Sequence, residues 1–274
     1  FEQGRPETPL FTTAPDPDGV APIERAMSVL MGHFPIDTPL DIDVTLAIPP
    51  GAGLGSSAAL AVAIAHALDD FASDGTRDKA ATASSVEDAV AASEAIFHGN
   101  ASGIDQAAAM GRGLFRFERG DGGATITPLD LPGFDVLVCQ AAPGASTAKM
   151  VSGVGSRRLR NPTSVGLLGE AIEQLVEDAI DAIGAKDLER LGELCDINHG
   201  ILSSFGVSTR AIDVACHIAR EAGAYGAKLT GAGGGGCVFA VADPKHREAI
   251  LDAWRTHDPQ LRCFATTLGV PTGP

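Results

Sequence analysis

The sequence lacks several features that would place it in a specialised class of protein. No stretch approaches the roughly 18 unbroken apolar residues that a membrane-spanning helix requires, and no basic segment followed by an apolar run marks a secretion signal. The five cysteines are scattered, odd in number and never spaced as C-x-x-C, which argues against a zinc site or a disulfide framework. We therefore expect a cytoplasmic protein with no membrane partner.

Positive charge is also scarce. The chain has 20 Lys and Arg against 35 Asp and Glu, a net charge of −15, which argues against nucleic acid as a main partner. Two interpretations of the acidic excess stay open. It is typical of a halophilic cytoplasm, where salt screens the repulsion between surface charges, or of an ordinary acidic cytosolic enzyme, and we favour the first. The oligomeric state is not indicated, and a homodimer is left open.

The residues that are present indicate an α+β protein. A length of 274 residues with 45% hydrophobic content suffices for one large domain or two smaller ones. We predict a domain boundary near residues 130–133, which divides the chain into 1–131 and 132–274. Hydrophobic periodicity predicts helices over 22–34, 57–72, from Ser84 or Ser85 onward, 161–183, 188–202, 208–223 and 244–257, and strands over 41–48, 113–119, 124–129, 134–141, 237–242 and 262–268.

The most informative segment is PPGAGLGSSAA at residues 49–59, which lies between a predicted strand and an alanine-rich predicted helix. A glycine-rich turn that opens into a helix offers unpaired N–H groups at the positive end of the helix dipole, which suits a phosphate group. A flexible linker is the alternative, but linkers do not normally join a clean strand to a strong helix. One of Ser56 and Ser57 can cap the helix while the other binds a phosphate-associated Mg²⁺. No lysine follows the glycines, so the segment is not a G-x-x-x-x-G-K-[ST] loop.

A second glycine run, TGAGGGGC, occupies residues 230–237. Together the two runs indicate a site for nucleotide phosphates. They resemble two motifs of the GHMP small-molecule kinases, and the resemblance extends from about residue 41 to 242. Within that family, the segment ExxxHGNxSGID at 94–105 and the segment 228–237 are most similar to the mevalonate kinases, of an archaeal type.

The resemblance implies a two-domain fold and an ATP-dependent phosphotransferase. The N-terminal half would be like ribosomal protein S5 domain 2 and would bind ATP, and the C-terminal half would be ferredoxin-like. The implied reaction is phosphorylation of mevalonate to 5-phosphomevalonate in isoprenoid biosynthesis. Phosphomevalonate kinase, a sugar kinase such as galactokinase, and a catalytically inactive nucleotide-binding relative remain alternatives.

The resemblance also implies roles for individual residues. Ser57 and Glu94 are expected to hold Mg²⁺, which takes few protein ligands, and Asp105 is expected to act as general base toward the acceptor hydroxyl. Residues expected on the acceptor side are Gly103, Asp105, Thr230, Gly231, Ala232 and Gly233. Residues expected to contact the ATP phosphates are Pro50, Gly51, Ala52, Gly53, Leu54, Gly55, Ser56, Ser57 and Ala58.

Each polar residue also has a simpler interpretation when it is taken alone. Glu94 would be a solvated charge at a helix edge, and Asp105 would cap the helix that follows it. For His98 we favour a structural role, in which it satisfies a loop carbonyl. The family's first motif contains a lysine that helps polarise the acceptor hydroxyl, yet no lysine precedes Lys79. We therefore expect that an N-terminal portion of the protein is missing before Phe1.

Overall fold

The computed structural model describes residues 22–73, 79–98, 102–111, 113–120 and 123–269; side chains are described for these except at 22, 79–84, 97 and 98. The described residues divide into two compact units, one within 1–50 and 56–110 and the other within 51–55 and 111–274. The short glycine loop at 51–55 is therefore part of the second unit, although the residues on both sides of it in the chain belong to the first.

The described part of the first unit is helical. Its helices are α1 (Pro22–Gly32), α2 (Ser56–Ser73), α3 (Lys79–His98) and α4 (Ile104–Ala109). Alanines along α2 allow close helix packing, and the buried core joins Leu30 of α1 to Ile64 and Leu68 of α2 and to Val86 and Val90 of α3. The predicted helices over 22–34 and 57–72 are confirmed within two residues at each end.

Two predictions for this unit are wrong. Residues 41–48 contain no strand, although their residues alternate between polar and apolar. A strand is stabilised by hydrogen bonds to a neighbouring strand, and the described residues of the first unit contain no strand that could pair with it. Helix α3 begins at Lys79 rather than at Ser84 or Ser85, because the alanine-rich segment before those serines favours a helix and continues it.

The second unit is α+β. Strands β1 (Phe115–Gly120) and β2 (Gly123–Pro128) form an antiparallel pair, as the sequence predicts. A four-stranded antiparallel sheet has the order β4-β5-β3-β6. Its strands are β3 (Phe134–Ala142), β4 (Ala224–Leu229), β5 (Gly236–Ala242) and β6 (Cys263–Leu268). The helices of this unit are α5 (Thr147–Arg160), α6 (Pro162–Gly184), α7 (Leu188–Ser204), α8 (Arg210–Glu221) and α9 (Arg247–His257), the last preceded by a 3₁₀ turn (Pro244–His246).

Both faces of the four-stranded sheet are covered by helices. Strand β3 has an apolar, buried centre at residues 136–139, and its side chains point alternately to the two faces. Val136 and Val138 pack in a cluster with α6 and α7, whereas Leu137 and Cys139 pack in a cluster with α8 and α9. The sheet is therefore a rigid support for the loops that leave its strands.

Two local expectations for this unit need correction. Helix α5 is absent from the predictions, because the segment Thr147–Arg160 contains two glycines, three serines or threonines and no buried residue. Helix α8 begins at Arg210 rather than at residue 208 and is capped by Thr209, whose side chain accepts a hydrogen bond from the Ile212 N–H. The Ser208 hydroxyl instead donates to Asp213 Oδ1 at 2.5 Å.

Candidate phosphate-binding loops

The first glycine run forms a loop that only glycine can adopt easily. Gly51, Gly53 and Gly55 have φ angles of 64°, 76° and 65°, in the left-handed region that is unfavourable for residues with a Cβ atom. Helix α2 begins at the next residue, Ser56. The first N–H groups of a helix have no partner within it. The sequence prediction of a glycine turn that opens directly into a helix is therefore confirmed.

The second glycine run packs against this loop, backbone to backbone. The Cys237 N–H donates to the Ala52 carbonyl oxygen at 2.9 Å. A Cβ atom on Gly231 would lie 2.8 Å from Gly53 Cα, and one on Gly236 would lie 2.6 Å from the Ala52 oxygen. No side chain fits between the two runs, so glycine is required at these positions by contact as well as by backbone angle.

A third segment, which the sequence reasoning missed, completes this packing. Gly144 lies in the turn after β3, and a Cβ atom on it would overlap the Gly51 carbonyl oxygen. A Cβ atom on Gly235 would likewise overlap the Pro143 oxygen. The available signal was the run of small residues APGAS at 142–146 directly after an apolar strand. The loop at 51–55 is thus held by two segments that both extend from the four-stranded sheet.

The second run is itself anchored by hydrogen bonds. The Thr230 N–H and hydroxyl both donate to the Cys237 carbonyl oxygen, at 2.9 and 3.2 Å. The Gly234 N–H donates to the Val207 oxygen at 2.7 Å. The backbone between Thr230 and Cys237 is therefore closed on itself and tied to the turn before α8.

A buried histidine and a half-buried lysine fix the end of β4, which leads into this run. The Leu229 N–H donates to His199 Nδ1 at 3.4 Å, and His199 Nε2 lies 3.2 Å from Asp213 Oδ1. Burial lowers the pKa of His199. Because Nδ1 accepts the Leu229 N–H, the ring proton lies on Nε2, which donates to the carboxylate. The ammonium of Lys228 donates to the Leu229 oxygen at 3.1 Å and lies 5.2 Å from the centre of the Phe239 ring, and desolvation lowers its pKa.

The predicted metal ligands lie on helices of the first unit. Glu94 on α3 is buried, with 3% of its surface exposed, so it is not the solvated helix-edge charge of the simpler interpretation. Its neighbour Ser93 and Ser57 of α2 line the same small cavity. The segment of α3 around Glu94 therefore lies beside the first turn of α2. A carboxylate and a hydroxyl are hard oxygen ligands of the kind that Mg²⁺ prefers.

The predicted base differs from Glu94 in its surroundings. Asp105 is exposed in the first turn of α4. The N-cap of that helix is Gly103, with a φ angle of 85°, so Asp105 is not the capping residue and its carboxylate is open to solvent. The side chain of His98 and residues 99–101 lie outside the described residues, so the role of His98 stays a prediction.

The described residues contain no group of three or more His, Cys, Asp or Glu side chains that could hold a metal ion. A search of the same residues finds no helix that is both long and apolar enough to span a membrane.

Comparison with known proteins shows which family the chain belongs to. Residues 22–113 match the N-terminal domain of the GHMP kinases, and residues 176–260 match the GHMP kinase C-terminal domain. The chain belongs to the GHMP kinase family, a family of phosphotransferases that use ATP, and it has the α+β fold of that family.

Within the family, the chain is similar to mevalonate kinases. It is 38% identical over 205 residues to the mevalonate kinase of Methanothermobacter thermautotrophicus, a match that covers 74% of this chain and 64% of the relative. It is 33% identical over 232 residues to that of Thermococcus sibiricus, covering 82% of this chain and 67% of the relative. The crystal structure of L. major mevalonate kinase in complex with R-mevalonate superimposes with a TM-score of 0.77 at 27% identity, covering 92% of this chain and 78% of that one. The chain thus spans less than two thirds of the M. thermautotrophicus relative.

Proposed function

We propose that the protein transfers the γ-phosphoryl group of ATP to the hydroxyl group of mevalonate and so forms 5-phosphomevalonate for isoprenoid biosynthesis. The observation that carries this proposal is the packing of the two glycine runs, which holds the loop at 51–55 in a left-handed conformation directly before the first turn of α2. Such a loop offers backbone N–H groups at close range to an anionic ligand. The similarity to mevalonate kinases supports mevalonate as the acceptor.

The glycine loop and the start of α2 would bind the triphosphate. Residues 50–58 would contact phosphate oxygens, and the three glycines among them allow the backbone a close approach because they carry no side chains. Ser57 and Glu94 would hold Mg²⁺, which when bound neutralises charge on the phosphates. The burial of Glu94 supports this role, because a buried carboxylate is strongly stabilised by a cation.

Asp105 would act on the acceptor. Its carboxylate is exposed and would take the proton of the acceptor hydroxyl as the oxygen attacks the γ-phosphorus and ADP leaves. Gly103, before α4, and the segment Thr230–Gly233 would contact the acceptor. Phosphoryl transfer depends mainly on positioning and charge neutralisation, so this small set of groups suffices.

The test uses the full-length protein that contains this chain, assayed for ADP release with mevalonate, phosphomevalonate and galactose in turn. We expect turnover with mevalonate and little with the other two acceptors. Asp105→Asn should lower kcat by about 10²–10⁴ while ATP binding stays near normal, because a lost general base affects the reaction and not the nucleotide.

Asp88→Asn is the matched control, since Asp88 is an exposed aspartate on α3 of the same unit. Its kinetics should equal those of the unmodified protein. Preferred turnover of galactose or phosphomevalonate would contradict mevalonate as acceptor. ATP binding without turnover of any acceptor would indicate the inactive relative, and unchanged kinetics in Asp105→Asn would exclude Asp105 as the base.

A further inference from the structure

Two cysteines face each other across neighbouring strands of the four-stranded sheet. Cys139 of β3 is paired in register with Cys263 of β6. Their sulfur atoms lie 3.0 Å apart, within hydrogen-bond distance. The proposed kinase reaction uses neither residue, so the pair requires a separate explanation.

The position of the pair in the ladder suits a covalent link. The next residue, Gln140, donates its N–H to the Arg262 oxygen at 3.0 Å. The backbone groups of Cys139 and Cys263 are therefore not hydrogen-bonded to each other, which makes this a non-hydrogen-bonded pair of the antiparallel ladder. Opposed residues at such positions have Cα atoms about 4.5 Å apart, inside the range of roughly 4.4–6.8 Å found across disulfides. The strands therefore have no need to separate or slide for the two sulfurs to bond.

We propose that Cys139 and Cys263 are an oxidisable dithiol that forms a reversible cross-strand disulfide by exchange with a small-molecule disulfide such as oxidised glutathione. This inference is independent of the proposed kinase function, because it concerns two strands of the sheet and not the glycine loops. It also differs from a disulfide framework, since both thiols are free in this structure.

The surroundings of the two thiols assign them different roles. Cys263 is half-buried on an edge strand. A hydrogen bond with the Cys139 thiol lowers the pKa of Cys263, and the charge of Arg255 adds to this effect. The thiolate is the nucleophile in disulfide exchange, so Cys263 reacts first. Cys139 is fully buried and its pKa is raised, which suits the resolving thiol that acts only on a sulfur already beside it.

The other three cysteines do not have this combination of properties. Cys195, Cys216 and Cys237 are all buried. Burial raises the pKa of Cys195 to about 11 and the pKa values of Cys216 and Cys237 to about 12. Their thiols are therefore protonated and shielded near neutral pH, and we expect them to stay reduced.

The reaction takes place in two balanced exchanges. The Cys263 thiolate attacks one sulfur of oxidised glutathione, the S–S bond breaks, and one glutathione leaves as the thiolate with the electron pair. Cys139 Sγ then attacks Cys263 Sγ in the mixed disulfide, and its proton passes to the second departing glutathione. Two protein thiols are oxidised, and one oxidised glutathione is reduced to two molecules of glutathione.

The experiment starts from the full chain after reduction and removal of the reductant. The protein is incubated with oxidised glutathione and unfolded in a thiol-counting reagent. We expect two of the five thiols to be lost, no glutathione to remain attached, and a digest to contain one peptide that links Cys139 to Cys263. Because the link restrains the unfolded chain, the thermal unfolding midpoint should rise by about 5–15 °C and return to its starting value after treatment with dithiothreitol.

Three variants separate the steps. Cys139→Ser should stop at a stable mixed disulfide on Cys263, and Cys263→Ser should lose no thiol. Cys216→Ser, which removes a buried cysteine of the same core cluster, should form the cross-link as the unmodified protein does. The inference is overturned if the unmodified protein retains glutathione on Cys263, keeps all of its thiols, or links any other pair.

Discussion

At the scale of single residues, the packing of the phosphate loop depends most directly on Gly144. Its φ angle is not in the left-handed region, so the backbone itself would accept alanine. The added Cβ atom would, however, overlap the Gly51 carbonyl oxygen, and a backbone oxygen cannot rotate away as a side chain can. We predict that Gly144→Ala weakens ATP binding at least about tenfold and lowers the free energy of unfolding by about 1–3 kcal/mol, as measured by calorimetric titration and denaturant unfolding.

Gly153→Ala is the control for this substitution. Gly153 is exposed within α5, and a Cβ atom on it would meet nothing within 4 Å. The change should leave ATP binding unaltered and raise the free energy of unfolding by up to about 1 kcal/mol, because alanine favours a helix over glycine. Normal ATP binding in Gly144→Ala would show that the nucleotide does not depend on this contact.

The sequence predicts the residues of the loop better than the residues that support it. The spacing of Gly51, Gly53 and Gly55 identifies the loop, since glycine is the residue that tolerates left-handed angles. Support by Gly144 and the burial of Glu94 depend on chain segments far apart in the sequence, and no local pattern encodes such a contact. The assignment of Glu94 and Asp105 to metal and base remains a prediction.

At the scale of elements, strand β4 lies at the edge of its sheet, and two side chains form hydrogen bonds with its outward-facing backbone groups. It is the outer strand of the sheet next to β5. Asp196 of α7 accepts the Ala227 N–H at 2.8 Å, and Arg220 of α8 donates to the Ala227 oxygen at 3.1 Å. Arg220 Nε also lies 2.8 Å from both oxygens of Asp196. The pair thus joins two helices to the strand that leads into Thr230.

We predict that Asp196→Ala lowers the free energy of unfolding by about 1.5–3 kcal/mol, because the Ala227 N–H loses its acceptor and Arg220 Nε loses the carboxylate that pairs with it. Denaturant unfolding is the measurement. Asp252→Ala is the control, since it breaks the Arg255–Asp252 pair on the exposed side of α9, and such a pair contributes little. Equal effects of the two substitutions would mean that the edge of β4 is not stabilised in this way.

Most elements with a buried face are predicted from the sequence, although strand β4, with Ala227 and Leu229 in the core, is absent from the predictions. Helices α6, α7 and α9 and strands β3 and β5 have apolar positions that pack on the sheet core, so their periodicity reflects their structure. Helix α5 buries no residue and therefore has no such signal. Residues 41–48 show the opposite case, since their pattern suits a strand but a strand also needs a partner. The domain boundary at residue 131 stays a prediction.

At the scale of the whole molecule, the dominant property is the charge of −15. Repulsion among acidic groups destabilises a compact chain more than an expanded one. Salt shortens the distance over which this repulsion acts, from about 30 Å at 0.01 M to about 10 Å at 0.1 M and about 3 Å at 1 M.

We therefore predict that the thermal unfolding midpoint rises steadily between about 0.05 and 0.5 M KCl, within the range where screening acts. Glu170→Gln combined with Glu173→Gln removes two exposed charges from α6 and should make the rise shallower. A midpoint that is constant or falls over this range would mean that attractive ion pairs, which salt weakens, outweigh the repulsion.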